Sequence, residues 1–262
     1  MNGQVSDQAH DRLLTRLASL GLPAEAITAL LERYTPVRYP RGASLFTKGS
    51  PADVLFAVLS GVIKVHSTRP GSDRILIELA GPGDLAGYAD FSDSRGERSQ
   101  LFEAEALTSC TVALFTRHHI AEVLKGFEPE VLLHLAESIN SLWSQVAYRY
   151  ATFLGMSLRQ RLEVVLNELA VRFGVADSRG ILLTPDLAQE ELAEMIGSSR
   201  PMVSKLLMEM THQGVLARDG RRRILVTPPD TSLFPQAQVF AATAARSNAT
   251  RQPQKSRTHA AA

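Results

Sequence analysis

Cysteine is almost absent from this sequence, since Cys110 is the only one among 262 residues. A single thiol cannot form a disulfide within one chain, nor can it supply the several thiolates of a structural zinc site or a cysteine-held iron–sulfur cluster. Long apolar runs are missing as well, because no stretch approaches the roughly 18 residues that a membrane-spanning helix needs. The N-terminus lacks the pattern of a signal peptide, so the sequence predicts a cytoplasmic protein that does not associate with a membrane.

An excess of charge of one sign is also lacking, because the formal net charge of the whole chain is +1. The distribution is less even. Residues 1–156 carry 14 Lys or Arg against 17 Asp or Glu, a net charge of −3, whereas residues 157–262 carry 14 against 10, a net charge of +4. A basic C-terminal part indicates an anionic partner there, although a difference of a few charges also arises by chance.

The first half of the sequence changes its pattern once. Residues 1–33 predict short helices, interrupted by Gly21 and Pro23. From residue 34 onward, short β-type runs such as VLFAVL, VIKVH and RILIEL alternate with turns rich in Gly, Pro, Ser and Asp. Regular turn spacing between short strands is typical of a small all-β roll or barrel, which we predict over residues 34–127.

Residues 128–156 predict one long helix that ends in a hinge. Apolar residues recur in it with the 3,4 spacing of a heptad seam, and a second apolar stripe that includes Trp143 lies beside the first. A helix with two apolar stripes has two partners, so one stripe can pack on the roll and the other on a second copy of the chain. The alternative is a core helix buried within one subunit. The predicted dimer-interface residues are Leu135, Ile139, Leu142 and Val146.

A second domain is predicted over residues 157–227. It begins with Ser157 and Gln160, which have the spacing of a capping box and therefore indicate the start of a new helix. The remaining residues 228–262 are rich in Pro, Ala, Gln, Thr and Ser, and they predict a disordered, mildly basic tail.

Within this second domain, two helices are predicted at residues 187–196 and 200–213, and Gly197 permits a tight turn between them. The dipeptide Asp219-Gly220 then predicts a β-hairpin. This order is that of a winged helix-turn-helix, whose second helix enters the major groove of DNA. The candidates for the outer face of that helix are Arg200, Met202, Ser204, Lys205 and His212. The wing carries the basic residues Arg218, Arg221, Arg222 and Arg223, which suit phosphate contacts.

Four stretches within roughly residues 34–227 are informative in combination: YPRGASLFTKGSPADVLFAVLSGVIKV, LAGPGDLAGY, GERSQ and LAQEELAEMIGSSRPMVSKLL. Together they resemble the cyclic-AMP receptor protein/FNR (Crp/Fnr) family of bacterial transcription regulators. The resemblance implies an α+β fold, in which a cyclic-nucleotide-binding-like β-roll is joined by a long dimerisation helix to a C-terminal winged helix-turn-helix. It also implies a homodimer that binds a pseudo-palindromic site in double-stranded DNA and contacts or blocks RNA polymerase.

The resemblance further implies which residues meet DNA. Members of the family read bases with an Arg in the first turn of the recognition helix and a basic residue one turn later. These positions correspond to Arg200 and Lys205, with Ser204 alongside. Pro201 stands where a neighbouring acidic residue is expected, so the preferred base pair at that position should differ from that of the cyclic-AMP receptor. The predicted phosphate-contacting residues are Gln189, Ser199, Arg218, Arg221, Arg222 and Arg223.

The effector pocket departs from the family pattern. Tyr88 stands where cyclic-AMP-binding members have a Glu that holds the ribose, and Val146 and Ala147 stand where they offer a Thr-Ser pair to the adenine. The Arg-Ser pair that grips the cyclic phosphate is present as Arg98 and Ser99. Each lost buried hydrogen-bond partner costs about 1–3 kcal/mol, so we predict that cyclic AMP is not the effector.

Other effectors are constrained but not identified by the sequence. Arg98 can serve an anionic or nucleotide effector, or it can pair with a carboxylate of the roll such as Asp90 or Glu97. A haem is not expected, because Ala89 is the residue nearest to the position where the haem-binding relative has a His. An iron–sulfur cluster is excluded by the cysteine count.

Two other functional classes remain as alternatives. A cupin-like metalloenzyme has a related barrel, but its metal needs two or three His and a carboxylate that converge, whereas His66 is alone in the roll. A nucleotide-sensing subunit without DNA binding is disfavoured by the C-terminal domain. No Gly-rich phosphate loop, Ser nucleophile elbow or Cys–His pair is found, so we predict neither catalytic residues nor metal ligands.

Overall fold

The computed structural model describes residues 7–68, 74–87, 89–90, 98–220 and 222–226. The predicted tail, together with Tyr88 and Arg221, lies outside these residues. The helices are α1 (Asp7–Ser19), α2 (Ala24–Leu31), α3 (Arg117–Leu124), α4 (Pro129–Leu154), α5 (Leu158–Phe173), α6 (Gln189–Ile196) and α7 (Arg200–His212). The strands of the N-terminal part are β1 (Thr35–Tyr39), β2 (Ser44–Phe46), β3 (Val54–Ser60), β4 (Ile63–Ser67), β5 (Ile75–Ala80), β6 (Leu85–Ala86), β7 (Ala89–Asp90), β8 (Ser99–Gln100), β9 (Glu103–Ala106) and β10 (Cys110–Thr116). Those of the C-terminal part are β11 (Val175–Asp177), β12 (Gly180–Leu182), β13 (Leu216–Asp219) and β14 (Arg222–Leu225).

The ten N-terminal strands form a β-roll. One antiparallel sheet has the order β1-β10-β3-β6, the other has the order β2-β9-β4-β5, and β7 pairs with β8. Alternation along the strands turns apolar side chains inward, since side chains in a strand point to opposite faces in turn. Val58, Val65 and Val112 are completely buried in the resulting core.

Three short helices cover one side of the roll. Leu13 of α1 and Ala26 of α2 are completely buried in a cluster that also contains Leu59 and Phe115 of the first sheet. The helix α3 had no counterpart in the sequence prediction. The Thr116 side chain begins it by accepting a hydrogen bond from the backbone N–H of His119, which is an N-cap contact.

The long helix α4 begins with Pro129 and is followed by Gly155, so a single helix spans most of residues 128–156, and the hinge stays a prediction. The predicted capping box then starts α5: Ser157 N–H donates to Gln160 Oε1 at 2.9 Å, and Gln160 N–H donates to Ser157 Oγ at 3.3 Å. No helix within the described ranges has the length and apolar content needed to cross a bilayer.

The C-terminal part packs α5, α6 and α7 against the antiparallel sheet β11-β12-β14-β13. Its apolar cluster does not end at the predicted domain boundary. Leu76 and Leu79 of β5 belong to the same cluster as Leu166 and Val203 of the C-terminal helices. The α+β architecture predicted from the sequence is confirmed, and its two parts share a continuous apolar core.

Candidate nucleic-acid interface

Local rules build the turn between α6 and α7. Backbone N–H of Ala188 donates to Glu191 Oε2 at 2.8 Å and so begins α6. Gly197 ends that helix in the left-handed region, with φ of 67°, which glycine adopts without steric cost. Ser199 then occupies the position before α7, but its side chain makes no capping hydrogen bond within the described structure. Pro201 in the first turn supports the start of the helix instead.

The helix α7 has one buried face and one exposed face. The sequence places Val203, Leu206, Leu207 and Met210 inward, and all four are buried. Arg200, Ser204 and Lys205 lie on the exposed face, together with Met202, which is 40% exposed. Lys205 Nζ lies 4.0 Å from Glu209 Oε1, a surface pair that holds the ammonium only weakly. The three predicted base-reading residues thus share an accessible face.

The wing places its arginines in two different environments. Arg218 and Arg222 are exposed. The side chain of Arg223 is only 12% exposed, and its Nη1 donates to the carbonyl of Leu187 at 2.7 Å and lies 3.4 Å from Asp186 Oδ1. Burial lowers the pKa of Arg223. This guanidinium ties the wing to the loop before α6 and is mostly withdrawn from the surface, contrary to the expectation from the sequence that it contacts phosphate.

A groove of about 240 Å³ runs between α7 and the wing. Gln189, at the N-terminus of α6, and Ser204 lie on its wall, so one predicted phosphate-contacting residue and one predicted base-reading residue meet there. The described lining also includes Met208, Thr211, His212 and Arg218. A helix N-terminus with nearby cations and hydroxyl groups suits phosphate oxygens, because unsatisfied N–H groups point toward the ligand.

The predicted effector residues fall on two elements. Ser99 lies on β8, opposite Asp90 of β7. The carbonyl of Arg98 accepts a hydrogen bond from Ala52 N–H at 3.0 Å, so the Arg98-Ser99 pair is held by the roll. Val146 and Ala147 lie on α4 and are exposed. Tyr88, the remaining predicted pocket residue, is outside the described part of the chain.

His66 is buried in the roll and contacts charged side chains of the same domain. It is 2% exposed, and its Nε2 lies 3.2 Å from Glu103 Oε2 and within hydrogen-bond distance of Arg74. Burial lowers the pKa of His66, with the Arg74 charge acting in the same direction. No group of three His, Cys, Asp or Glu side chains that could hold a metal occurs among the described residues.

The predicted dimer seam is divided between two environments. Ile139 is 43% exposed and Val146 is 36% exposed on α4. Leu135 instead packs against the cluster formed by α1, α2 and the first sheet. The side chain of Leu142 lies outside what the structure describes. Trp143, from the second stripe, is 50% exposed.

Two protein-family models match parts of this chain. Residues 36–127 match the cyclic nucleotide-binding domain, and residues 160–231 match the Crp-like helix-turn-helix domain. The chain belongs to the Crp/Fnr family of DNA-binding transcription regulators. The prediction from the sequence is therefore confirmed at the level of family and general function.

Individual relatives of this Crp/Fnr regulator cover most of its length. The CRP-like cAMP-activated global transcriptional regulator of Mycobacterium tuberculosis is 28% identical over 212 residues, which are 80% of this chain and 93% of that protein. The nitrogen fixation regulation protein FixK of Azorhizobium caulinodans is 27% identical over 207 residues, which are 78% of this chain and 79% of that protein.

Solved structures share the fold of this Crp/Fnr regulator. The c-di-GMP responsive global regulator CLP of Xanthomonas campestris has a TM-score of 0.65 at 18% identity, over 78% of this chain and 100% of that one. FixK2 of Bradyrhizobium japonicum has a TM-score of 0.62 at 19% identity, over 80% and 96% of the two chains. At such low identity the likeness shows the fold alone.

Sequence reasoning missed two groove residues of this Crp/Fnr regulator. Met208, which is exposed, and Thr211 line the groove beside α7. Their helical spacing from Ser204, four and seven residues on, is the signal that could have found them, because residues at i, i+4 and i+7 share one face of a helix.

Proposed function

We propose that two copies of this regulator pair along α4 and bind a pseudo-palindromic site in double-stranded DNA, with each α7 in a major groove. The observation that carries the proposal is the shared exposed face of Arg200, Ser204 and Lys205 beside the exposed wing cations. A two-fold dimer of this type reads two half-sites whose centres lie about 34–36 Å apart, one turn of the double helix.

The exposed face supports separate roles for its residues. Arg200 would donate two hydrogen bonds to a guanine edge, and Ser204 and Lys205 would read neighbouring bases. Pro201 offers no side-chain acceptor, so it cannot accept a hydrogen bond from a cytosine amino group. The proposed phosphate contacts are Gln189, Ser199, Arg218, Arg221 and Arg222. Arg223 is left out of this set because it binds Asp186 and the carbonyl of Leu187.

The pairing of two copies is supported by the apolar face that α4 leaves exposed. Leu132, Ile139 and Val146 are at least 36% exposed and repeat every seven residues, which is the spacing of a coiled-coil seam. Leu135 is excluded from the centre of this seam because it packs within its own chain.

The proposed effector is an anion or nucleotide other than cyclic AMP. Its negative charge would be held by Ser99, the first residue of β8, and by Arg98, which directly precedes that strand. The Mycobacterium tuberculosis relative is named as cAMP-activated, and the structural neighbour CLP is named as c-di-GMP responsive. Since proteins of this fold respond to different nucleotides, we infer the effector from the pocket residues of this chain. Val146 and Ala147 carry no hydrogen-bonding side-chain group for an adenine.

Bound to its DNA site, the regulator would contact RNA polymerase or block it, as the family resemblance implies. A protein with genomic DNA as its partner would act in the cytoplasm of a bacterial cell. These statements rest on the DNA-binding role and stand or fall with it.

Selection of DNA sites from a random pool by the purified full-length protein tests the proposal. We expect an enriched site with two inverted half-sites about one helical turn apart. Enrichment of a single half-site, or of no sequence at all, would contradict the two-copy arrangement.

Isothermal titration with cyclic AMP tests the effector proposal. We expect no binding in the micromolar range, because three polar groups of the family pattern are replaced by Tyr88, Val146 and Ala147. Binding at about 1 μM, which corresponds to about 8 kcal/mol, would overturn it.

A further inference from the structure

The strand β5 is the edge of its sheet, and helices of the same chain take up its outer carbonyl groups. Tyr150 of α4 donates its hydroxyl hydrogen to the carbonyl of Ile77 at 3.3 Å. Arg172 of α5 donates from Nη2 to the carbonyl of Leu79 at 2.7 Å. An uncovered edge strand is a template for unwanted pairing, so covering it has a structural benefit. Here the cover at Leu79 comes from the DNA-binding part.

The same guanidinium binds three groups, and two of them, the carbonyl of Leu79 and the carboxylate of Asp84, lie across the boundary between the two parts. Arg172 Nη2 lies 2.6 Å from Asp84 Oδ2, and Nη1 lies 3.1 Å from Glu168 Oε1 on its own helix. Asp84 Oδ2 also accepts the N–H of Gly81 at 2.8 Å, which closes the 81–84 turn of the roll. The side chains of Arg172 and Asp84 are only 9% and 12% exposed, so water screens this pair little.

Packing at the next residue reinforces the junction. The Phe173 ring lies directly against Gly81, where an added Cβ would overlap the ring. The φ of Gly81 is not in the left-handed region, so an alanine there would act by steric contact with the ring and not by backbone strain.

A separate ion pair joins the same two parts at the neighbouring strand β4. Lys64 Nζ of β4 lies 3.3 Å from Glu191 Oε1 of α6 and 3.5 Å from Glu105 Oε1 of β9. The helix α6 is thereby held against the roll at a second place, and α7 follows α6 after a short turn.

We propose that Arg172 is a positioning residue for DNA recognition, which sets the orientation of the winged helix-turn-helix by fixing α5 to β5 and to the 81–84 turn. The guanidinium is a planar, rigid fork of donors, so its bonds to Leu79, Asp84 and Glu168 define a direction as well as a distance. Apolar contacts fill space without defining direction in this way. The proposal rests on the proposed function, because orientation matters when two copies of α7 must meet two half-sites together.

Stability alone does not account for this junction. A buried ion pair is often no more stabilising than apolar side chains of the same size, because removing the charges from water offsets their attraction. Apolar side chains in place of the ion pair would no longer fix the orientation of α5 relative to the roll. The consequence to measure is therefore the tolerance of the protein for half-sites at the wrong spacing.

The first experiment compares Arg172→Met with Arg159→Met. Arg159 lies on the same helix and pairs with Glu163 and Gln213 within the DNA-binding part, so its variant removes one charge without touching the roll. Each protein is titrated with the selected site and with a version lengthened by 2 base pairs, which turns one half-site by roughly 70°. We expect wild type and Arg159→Met to prefer the selected spacing about tenfold or more, and Arg172→Met to prefer it about twofold or less, with unchanged affinity for a single half-site.

Two further variants protect the test against misfolding. Asp84→Asn/Glu168→Gln/Arg172→Met removes the three charged groups that bond to one another, so neither carboxylate is left opposite a lost guanidinium, and it should unfold at about the wild-type temperature while losing the spacing preference. Gly81→Ala changes no charge and pushes against the Phe173 ring from the side of the roll. It should reduce the spacing preference in the same direction as Arg172→Met.

Hydrogen exchange gives a readout that needs no DNA. Amides of residues 76–84 should exchange about tenfold faster in Arg172→Met than in Arg159→Met, because the guanidinium that holds α5 to the carbonyl of Leu79 and to Asp84 of the turn is removed. Unchanged exchange together with an unchanged spacing preference in both Arg172→Met and Gly81→Ala would overturn the positioning role. A wild-type protein that selects no paired half-sites would overturn the proposed function and with it the role of Arg172 in DNA recognition, and the exchange experiment would then show by itself whether Arg172 fixes α5 to β5 and the 81–84 turn.

Discussion

Arg200 and Arg222 are both exposed cations, but they stand on elements that approach different parts of DNA. Arg200 begins α7 and faces the floor of the major groove in the proposed complex, whereas Arg222 begins the second strand of the wing and faces the backbone. Contacts with base edges distinguish sequences, and contacts with phosphates do not. The two residues therefore form a matched pair for separating the two roles.

Arg200→Ala should weaken binding of the selected site by about 1–3 kcal/mol and flatten the preference at one position of each half-site. The reason is that the variant cannot form the two hydrogen bonds to one guanine. The measurement is a binding series against single-base variants of the site. An equal loss of affinity on every variant would identify Arg200 as a phosphate-binding residue.

Arg222→Ala is the counterpart of that variant. It should weaken binding to all sequences alike and reduce the slope of log K against log salt by about 0.9 for each phosphate that the side chain neutralises in the wild type. Titrations at several salt concentrations give that slope. A base-specific loss of affinity in Arg222→Ala would show that the wing also reads sequence.

Cys110 should be unreactive in the folded protein. The alternating run CTVALF predicts a buried thiol, and the structure places Cys110 in the roll core with 3% exposure. Burial raises the pKa of Cys110 to about 11. The thiolate is the reactive form, and a raised pKa favours the protonated thiol, so at pH 8 only about one molecule in a thousand carries a thiolate.

Labelling with a thiol reagent at pH 8 tests whether Cys110 is unreactive in the folded protein, with the unfolded protein as the reference for full reaction. In a second experiment, we expect Cys110→Ser to leave any redox response of DNA binding unchanged. Rapid labelling of the folded wild type, or a redox response that disappears in the variant, would instead indicate a thiol sensor.

At the scale of the element, α4 leaves an apolar row of Leu132, Ile139 and Val146 at least 36% exposed. Ile139→Asp would place a charge in an apolar interface that meets its own symmetric copy, and neither charge would have a partner there. Such burial of a charge is costly, so we expect a monomer with weak DNA binding. Size-exclusion chromatography with light scattering measures the change.

Ser144→Asp is a matched control for that variant. Ser144 is exposed on the same helix but lies about 140° around the helix axis from Ile139. It should elute as the wild type does. An unchanged dimer in Ile139→Asp would show that α4 does not form the interface along this seam.

At the scale of the whole molecule, the apolar cluster that crosses from the roll to the DNA-binding part predicts cooperative unfolding. Leu76 is 3% exposed on β5 and belongs to the same cluster as the helices of the DNA-binding part. Parts that share a core unfold together, because opening one part exposes apolar surface of the other, so calorimetry should show a single transition. Two resolved transitions in the wild type would contradict a shared core.

Leu76→Ala should lower the free energy of unfolding by about 2–5 kcal/mol. It should also broaden or divide the transition, because the cavity lies where the two parts pack together. Leu13→Ala is a control with the same Leu→Ala truncation, since Leu13 is completely buried between α1 and the roll, away from that junction. It should lower stability while leaving the transition undivided.

The sequence by itself determined the elements whose signals are local. The apolar period of Val203, Leu206 and Met210, the turn at Gly197 and the capping box at Ser157 depend on neighbours within a few residues, and each is found in the structure. Local propensities and the order of the elements were therefore enough to predict the fold and the face of α7 that is exposed.

Only the tertiary structure decided which of several similar side chains are free to act. Arg222 and Arg223 are adjacent in the wing, but Arg223 is only 12% exposed and is held by Asp186, 37 residues earlier in the chain. Leu135 continues the apolar pattern of Ile139, yet the packing of α1 and α2 assigns it to its own subunit. Arg172 meets Asp84 across 88 residues. Such pairings depend on how separate elements pack in three dimensions, and no spacing along the sequence encodes them.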